Sequence, residues 1–110
     1  MKTKSSLTAL IRELRDKLSC SDRTVASKTV FGGSEKTMRQ TLIVLAEGGE
    51  LAEHESPGEA TIFVLDGRIR LVAGQDSWEG RTGDLLIIPD ARHSVEAVED
   101  AAFVLNVAVR

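Results

Sequence analysis

Two residues carry most of the chemistry this chain could do. His54 and His93 are its only histidines. His54 closes the strand-like stretch Leu51-Ala52-Glu53-His54, just before the turn signal Pro57-Gly58. His93 follows Pro89 by four residues, at the start of another extended stretch. Imidazole is the commonest metal ligand and titrates near neutral pH. Two such rings at strand edges can converge in the mouth of a β-barrel, where ligands bind. A protein metal site ordinarily takes three or four ligands. The residues alone therefore leave two chemistries open: a divalent ion completed by other donors, or a metal-free polar pocket.

Other chemistries find no support. No serine elbow, phosphate loop or dinucleotide fingerprint is present. The single cysteine, Cys20, makes an internal disulfide or a thiolate zinc cluster impossible and points to a cytoplasmic location. No apolar run reaches the ~20 residues a membrane span needs, so no membrane partner is expected. The net charge of −3 hides an asymmetry. Residues 1–40 carry nine Lys/Arg against four Asp/Glu, a balance of +5, and residues 41–110 carry five against thirteen, a balance of −8. The basic residues are scattered and lack interleaved aromatics, so they read as a solvated helix face and not as a nucleic-acid site.

The elements that must hold the histidines follow from periodicity. Leu7, Leu10, Ile11, Leu14 and Leu18 recur at helical spacing, and Ser5 or Ser6 can cap the start. One amphipathic helix over about 6–18 is predicted, within an N-terminal segment 1–22 that rests on or beside a domain spanning 23–110. Beyond Asp22, short β-branched runs alternate with Gly, Pro and Asp every eight to twelve residues. Strands are predicted at 25–31, 37–47, 51–54, 60–65, 68–73, 77–81, 85–88, 93–97 and 102–109. Many short strands and one helix mean an all-β sandwich or barrel. Leu85–Ile88 and Phe103–Val109 are apolar on both faces, so outer surfaces must be covered. The helix can cover one patch and a symmetric second subunit another, which predicts a homodimer.

The spacing of these residues resembles the cupin superfamily. Gly48, His54 and Gly67 match the opening glycine, first histidine and closing glycine of its first motif. Gly83, Pro89 and His93 match its second motif, with one residue fewer than usual between proline and histidine. The resemblance covers about Thr37–Val109. It implies a double-stranded β-helix of jelly-roll type, in agreement with the strand count. It also implies metal-ligand positions, and here the chain departs from the pattern. Ser56 stands where the motif has its second histidine, Ala60 where it has its glutamate, and Ala97 at a late polar position. Glu59 is one residue early, and a one-residue offset turns a side chain to the opposite face unless the Pro57-Gly58 turn shifts the register.

Three functions compete on this reading. A metal-free barrel interior would bind a small molecule through Gln40, His54, Ser56 and His93, against a wall of Met38, Leu42, Ile62, Val64 and Ile87; this reading is favoured. Alternatively His54 and His93 would ligate Zn, Fe, Mn or Ni, with Gln40, Glu59 or water completing the shell. Lastly, small barrels fill their interiors with side chains, so a structural or oligomerisation module is the third reading.

Overall fold

The computed structural model describes residues 3–54 and 58–108. Helix α1 spans Leu7–Ser19. The Ser6 hydroxyl accepts a hydrogen bond from the Ala9 amide at 3.2 Å, satisfying one of the donors a helix start leaves open. Nine strands follow: β1 (Val25–Phe31), β2 (Met38–Leu45), β3 (Glu50–His54), β4 (Glu59–Asp66), β5 (Arg68–Ala73), β6 (Asp76–Arg81), β7 (Leu85–Ile87), β8 (His93–Ala97) and β9 (Ala101–Ala108). Every predicted strand is present, with ends shifted by a few residues. Val109, the predicted end of the last strand, lies outside the described residues.

The strands form two antiparallel sheets, one of five in the order β1-β2-β9-β4-β7 and one of four in the order β3-β8-β5-β6. Side chains from both fill the space between them. Phe103, Leu45, Ile62, Val64, Ile69 and Leu71 are fully buried there, with Ile43, Val95 and Leu86 around them. Trp78 packs against the same core. Burial of this kind stabilises by roughly 25 cal/mol per Å² of apolar surface removed from water.

A second, smaller core lies outside the five-stranded sheet. Leu10 and Leu14 of α1 pack on Ala26, Leu42, Val44, Ala102 and Val104. This corrects the expected facing of β2. Met38, Gln40, Leu42 and Val44 do share one face, but it is the outer face under α1 and not the interior. The register fixes the parity: Ile43 lies opposite Phe103 and Gln40 opposite Asn106. Leu42–Leu45 is apolar throughout, so the run itself does not say which half faces inward. Ile87 is corrected for the same reason. Leu86 pairs with Ile62 on the interior side, which sends Leu85 and Ile87 outward.

The glycines that open and close the motifs turn the chain. Gly67 joins β4 to β5 at φ +86°, and a Cβ there would collide with the Asp100 carbonyl and Ala101. Only glycine tolerates both demands at once. Gly83 donates to the Val64 carbonyl at 2.8 Å, and Asp84 accepts from the Arg81 amide at 2.7 Å. The Gly83-Asp84 pair thus belongs to the turn, as a short carboxylate in a turn would.

Candidate functional site

Two strand pairings frame one end of the barrel, joined by the short segments 55–58 and 88–92: His54 at the end of β3 pairs with His93 at the start of β8, and Thr61 near the start of β4 pairs with Ile87 at the end of β7.

β8 alternates cleanly, with His93, Val95 and Ala97 buried and Ser94 and Glu96 half-buried. His93 is 2% exposed and is the one buried polar or charged residue among the described residues. Its Nδ1 lies 2.9 Å from the Ala91 carbonyl oxygen. A carbonyl only accepts, so Nδ1 carries the proton and donates. In the neutral ring Nε2 is then the acceptor nitrogen.

β3 reaches its partner through a bulge. Leu51 lies opposite Val95 and His54 opposite His93, so three positions on β3 span two on β8. A bulge re-aims the residues that follow it. Without the extra residue Glu53 would stand opposite His93; with it, His54 does. Glu53 is exposed and accepts from Arg92 Nε at 3.2 Å.

Of the other sequence-predicted site residues, Gln40 and Ile62 do not come together with His93. Gln40 sits on the outer face, where its amide nitrogen donates to Asn106 Oδ1 at 2.8 Å, and Asn106 donates onward to Thr61 Oγ1 at 3.3 Å. Ile62 faces the interior as expected but is wholly inaccessible, a core residue and not an open wall. Ser56 lies outside the described residues. Asn106 was not anticipated, although a lone amide in the apolar run Phe103–Val107 is a visible signal. A polar group on such a surface needs a partner, and Gln40 and Thr61 on the flanking strands supply it.

The positions that the superfamily pattern gives to a carboxylate and a late polar group are hydrocarbon here. Ala60 and Ala97 are both buried in the interior core. Glu59 is exposed and opposite Ala108, so it does not stand in the Ala60 place. Among the described residues no group of three or more His, Cys, Asp or Glu assembles that could hold a metal ion. The described donors therefore do not make up a metal shell.

A cavity of about 480 Å³ opens at this rim, bordered by Gly58, Glu59, Ala60, Thr61, Ile87, Ile88 and Asp90. Ala60 and Ile88 belong to the interior core, so the cavity touches the barrel's inside edge. The loop from Pro89 to Arg92 leads from Ile88 to His93, which does not itself border the cavity. No described helix is long and apolar enough to cross a membrane.

Comparison with known proteins places this architecture. Solved structures share the fold over most of their length. A conserved protein of unknown function from Streptococcus pyogenes superposes with a TM-score of 0.72 at 24% identity, over 82% of this chain and 78% of its own. An RmlC-like cupin protein from Desulfovibrio desulfuricans gives a TM-score of 0.70 at 25% identity, over 81% of this chain and 86% of its own. A cupin superfamily protein from Desulfitobacterium hafniense gives 0.71 at 16% identity, over 78% of both chains. No curated protein matches the chain. The cupin domain pattern matches residues 41–109, from within β2 to beyond the last described strand residue, and by that match this chain belongs to the cupin family.

Proposed function

We propose that this cupin binds a small molecule at the barrel rim, with the His93 imidazole as its polar anchor. One observation carries the reading: a histidine is buried at the rim of an otherwise apolar interior. Burying an imidazole is costly relative to an aliphatic side chain of like size, unless its hydrogen bonds are met. The bond from Nδ1 to the Ala91 carbonyl fixes the tautomer, so Nε2 is the accepting nitrogen of the neutral ring. The rim cavity, bordered by Ala60, Thr61 and Ile87, has the size and mixed lining of a site for a small, largely apolar ligand.

A fragment library followed by ¹⁵N spectra of the His93 ring and the backbone tests this. Bound fragments are expected to move the His93 ring nitrogens together with the amides of 58–61 and 87–90. Binders that move only other regions would overturn the assignment.

The metal reading keeps one specific support, the register that sets His54 directly across from His93. It is checked by elemental analysis of the purified protein, before and after loading with Zn, Mn, Fe and Ni. Near-stoichiometric metal that is lost in both His54→Ala and His93→Ala would replace the metal-free reading. Ala60→Glu is then expected to raise the affinity, since it restores an anionic oxygen inside the barrel at the family's ligand position.

A further inference from the structure

A second cavity, of about 590 Å³, lies on the outer face of the five-stranded sheet beside the start of α1. Its floor is a polar row set in an apolar surface. Gln40 on β2 stands opposite Asn106 on β9, and Asn106 opposite Thr61 on β4, so the three lie side by side across the strands. The Gln40 amide nitrogen donates to Asn106 Oδ1 at 2.8 Å, and the Asn106 amide nitrogen donates to Thr61 Oγ1 at 3.3 Å. The neighbouring row on the same face, Leu42, Val104 and Phe63, is hydrocarbon.

Each primary amide has two N–H donors and uses one within the row. Among the described residues the second N–H of each meets no acceptor. The bonds along the row hold both amide planes, so the open donors are oriented before anything binds. Groups fixed in this way lose little freedom on binding. Phe31 on β1, opposite Gln40, and Phe63 on β4 border the cavity and are 44% and 40% exposed. β2 and β9 lie between them, so they stand three strand spacings apart, roughly 14 Å. That leaves room for an apolar body of one or two rings. Lys4 is the one charged residue among the described residues at this border. The rim cavity has the opposite sign, with Glu59 and Asp90 at its border and no Lys or Arg among the described residues there.

We propose that this outer cavity is a second binding site, for a monocarboxylate with an apolar body of one or two rings. The carboxylate oxygens accept from the open N–H groups of Gln40 and Asn106, the Lys4 ammonium supplies the countercharge, and the rings lie between Phe31 and Phe63. A carboxylate is the acceptor these donors favour, because hydrogen bonds to an ionised group are stronger than those to a neutral one. The volume lies within the range of roughly 300–1,000 Å³ typical of small-molecule sites, which are mostly apolar with a few placed polar groups. The opposite signs of the two cavities direct an anion to this one. The site does not rest on the rim reading, since Lys4, Gln40 and Asn106 do not border the rim cavity.

Titration with 2-naphthoate followed in ¹⁵N spectra tests this, because the side-chain NH₂ groups of Gln40 and Asn106 are read directly. The probe is expected to move both NH₂ pairs and the backbone amides of 104–106 in a saturable way. It is expected to bind about tenfold more tightly than 2-naphthamide or 2-naphthylmethylamine, its neutral and cationic counterparts. Lys4 is exposed, so Lys4→Glu is expected to fold as the wild type does and to weaken 2-naphthoate about tenfold, an effect that added salt reduces. Gln40→Met keeps the length of the side chain, removes its amide, and is expected to lose the preference for the carboxylate over the carboxamide. Shifts confined to 58–60 and 87–90 would put the probe at the rim and overturn the proposal. Equal binding of the three probes, full affinity in Lys4→Glu, or no saturable binding would overturn it too, and each would leave the rim assignment standing.

Discussion

The two sheets treat their outer faces in opposite ways. On the four-stranded sheet, Arg70 reaches Glu79 at 3.0 Å and Glu96 at 3.6 Å, while Arg68 lies 3.7 Å from Glu79 and 3.6 Å from Glu99. Arg70 stands in register between Glu79 on β6 and Glu96 on β8, so the alternation of charge runs across the strands. Opposite charges paired across strands favour each other and keep the face wet. This surface is complete in a single chain. The outer face of the five-stranded sheet uses hydrocarbon instead. α1 covers part of it, and Phe63, Leu85 and Ile87 are left to solvent. One outer face is finished by ion pairs, the other by apolar packing that α1 covers only in part.

The contrast can be broken at its strongest point, under the helix. Leu14 is buried between α1 and the sheet. Leu14→Ala removes the packing of that side chain and leaves a cavity, for an expected loss of about 3 kcal/mol in chemical denaturation. A loss below about 1 kcal/mol would mean that α1 contributes little to covering the sheet. On the other sheet, Arg70→Ala removes a half-exposed guanidinium from two carboxylates. The expected loss is only about 0.5 kcal/mol, falling further as salt is raised, because exposed ion pairs are weak and screened. A large, salt-insensitive loss would show that the ladder acts as packing and not as charge.

How much of this could be read from the sequence depends on parity. Where a strand alternates, as in Arg68-Ile69-Arg70-Leu71, its inner and outer faces are legible from residue types alone. Arg68 and Arg70 share the outer face, with Ile69 and Leu71 buried opposite. The helix was legible for the same reason, since Leu10 and Leu14 recur at its period. Where a strand is apolar on both faces, parity is invisible. Leu42–Leu45 and Leu85–Ile88 each admit two facings, and only pairing with β9 and β4 selects one. That is why the sequence suggests Gln40 as a polar group of the pocket and Ile87 as part of its wall, when both face outward. The histidines were legible by type but not by partner. His54 comes opposite His93 only through the bulge in β3, which no residue between Leu51 and His54 announces. The loss of a carboxylate at Ala60 was legible from spacing, and the exposure of Glu59 follows from its being one residue out of step.

The smallest effect sharpens the comparison most. Ile87 is the most exposed large apolar side chain of the described residues and adds little to the stability of one chain. Ile87→Ser is therefore expected to leave the denaturation midpoint of dilute protein unchanged within about 0.5 kcal/mol. If a second copy covers this face, the two proteins diverge at high concentration. Association that stabilises only the folded chain raises the melting temperature as concentration rises. The wild-type midpoint is expected to climb with concentration and that of Ile87→Ser to stay level. Parallel curves for the two proteins would mean that this apolar face, like the charged one, is finished within a single chain.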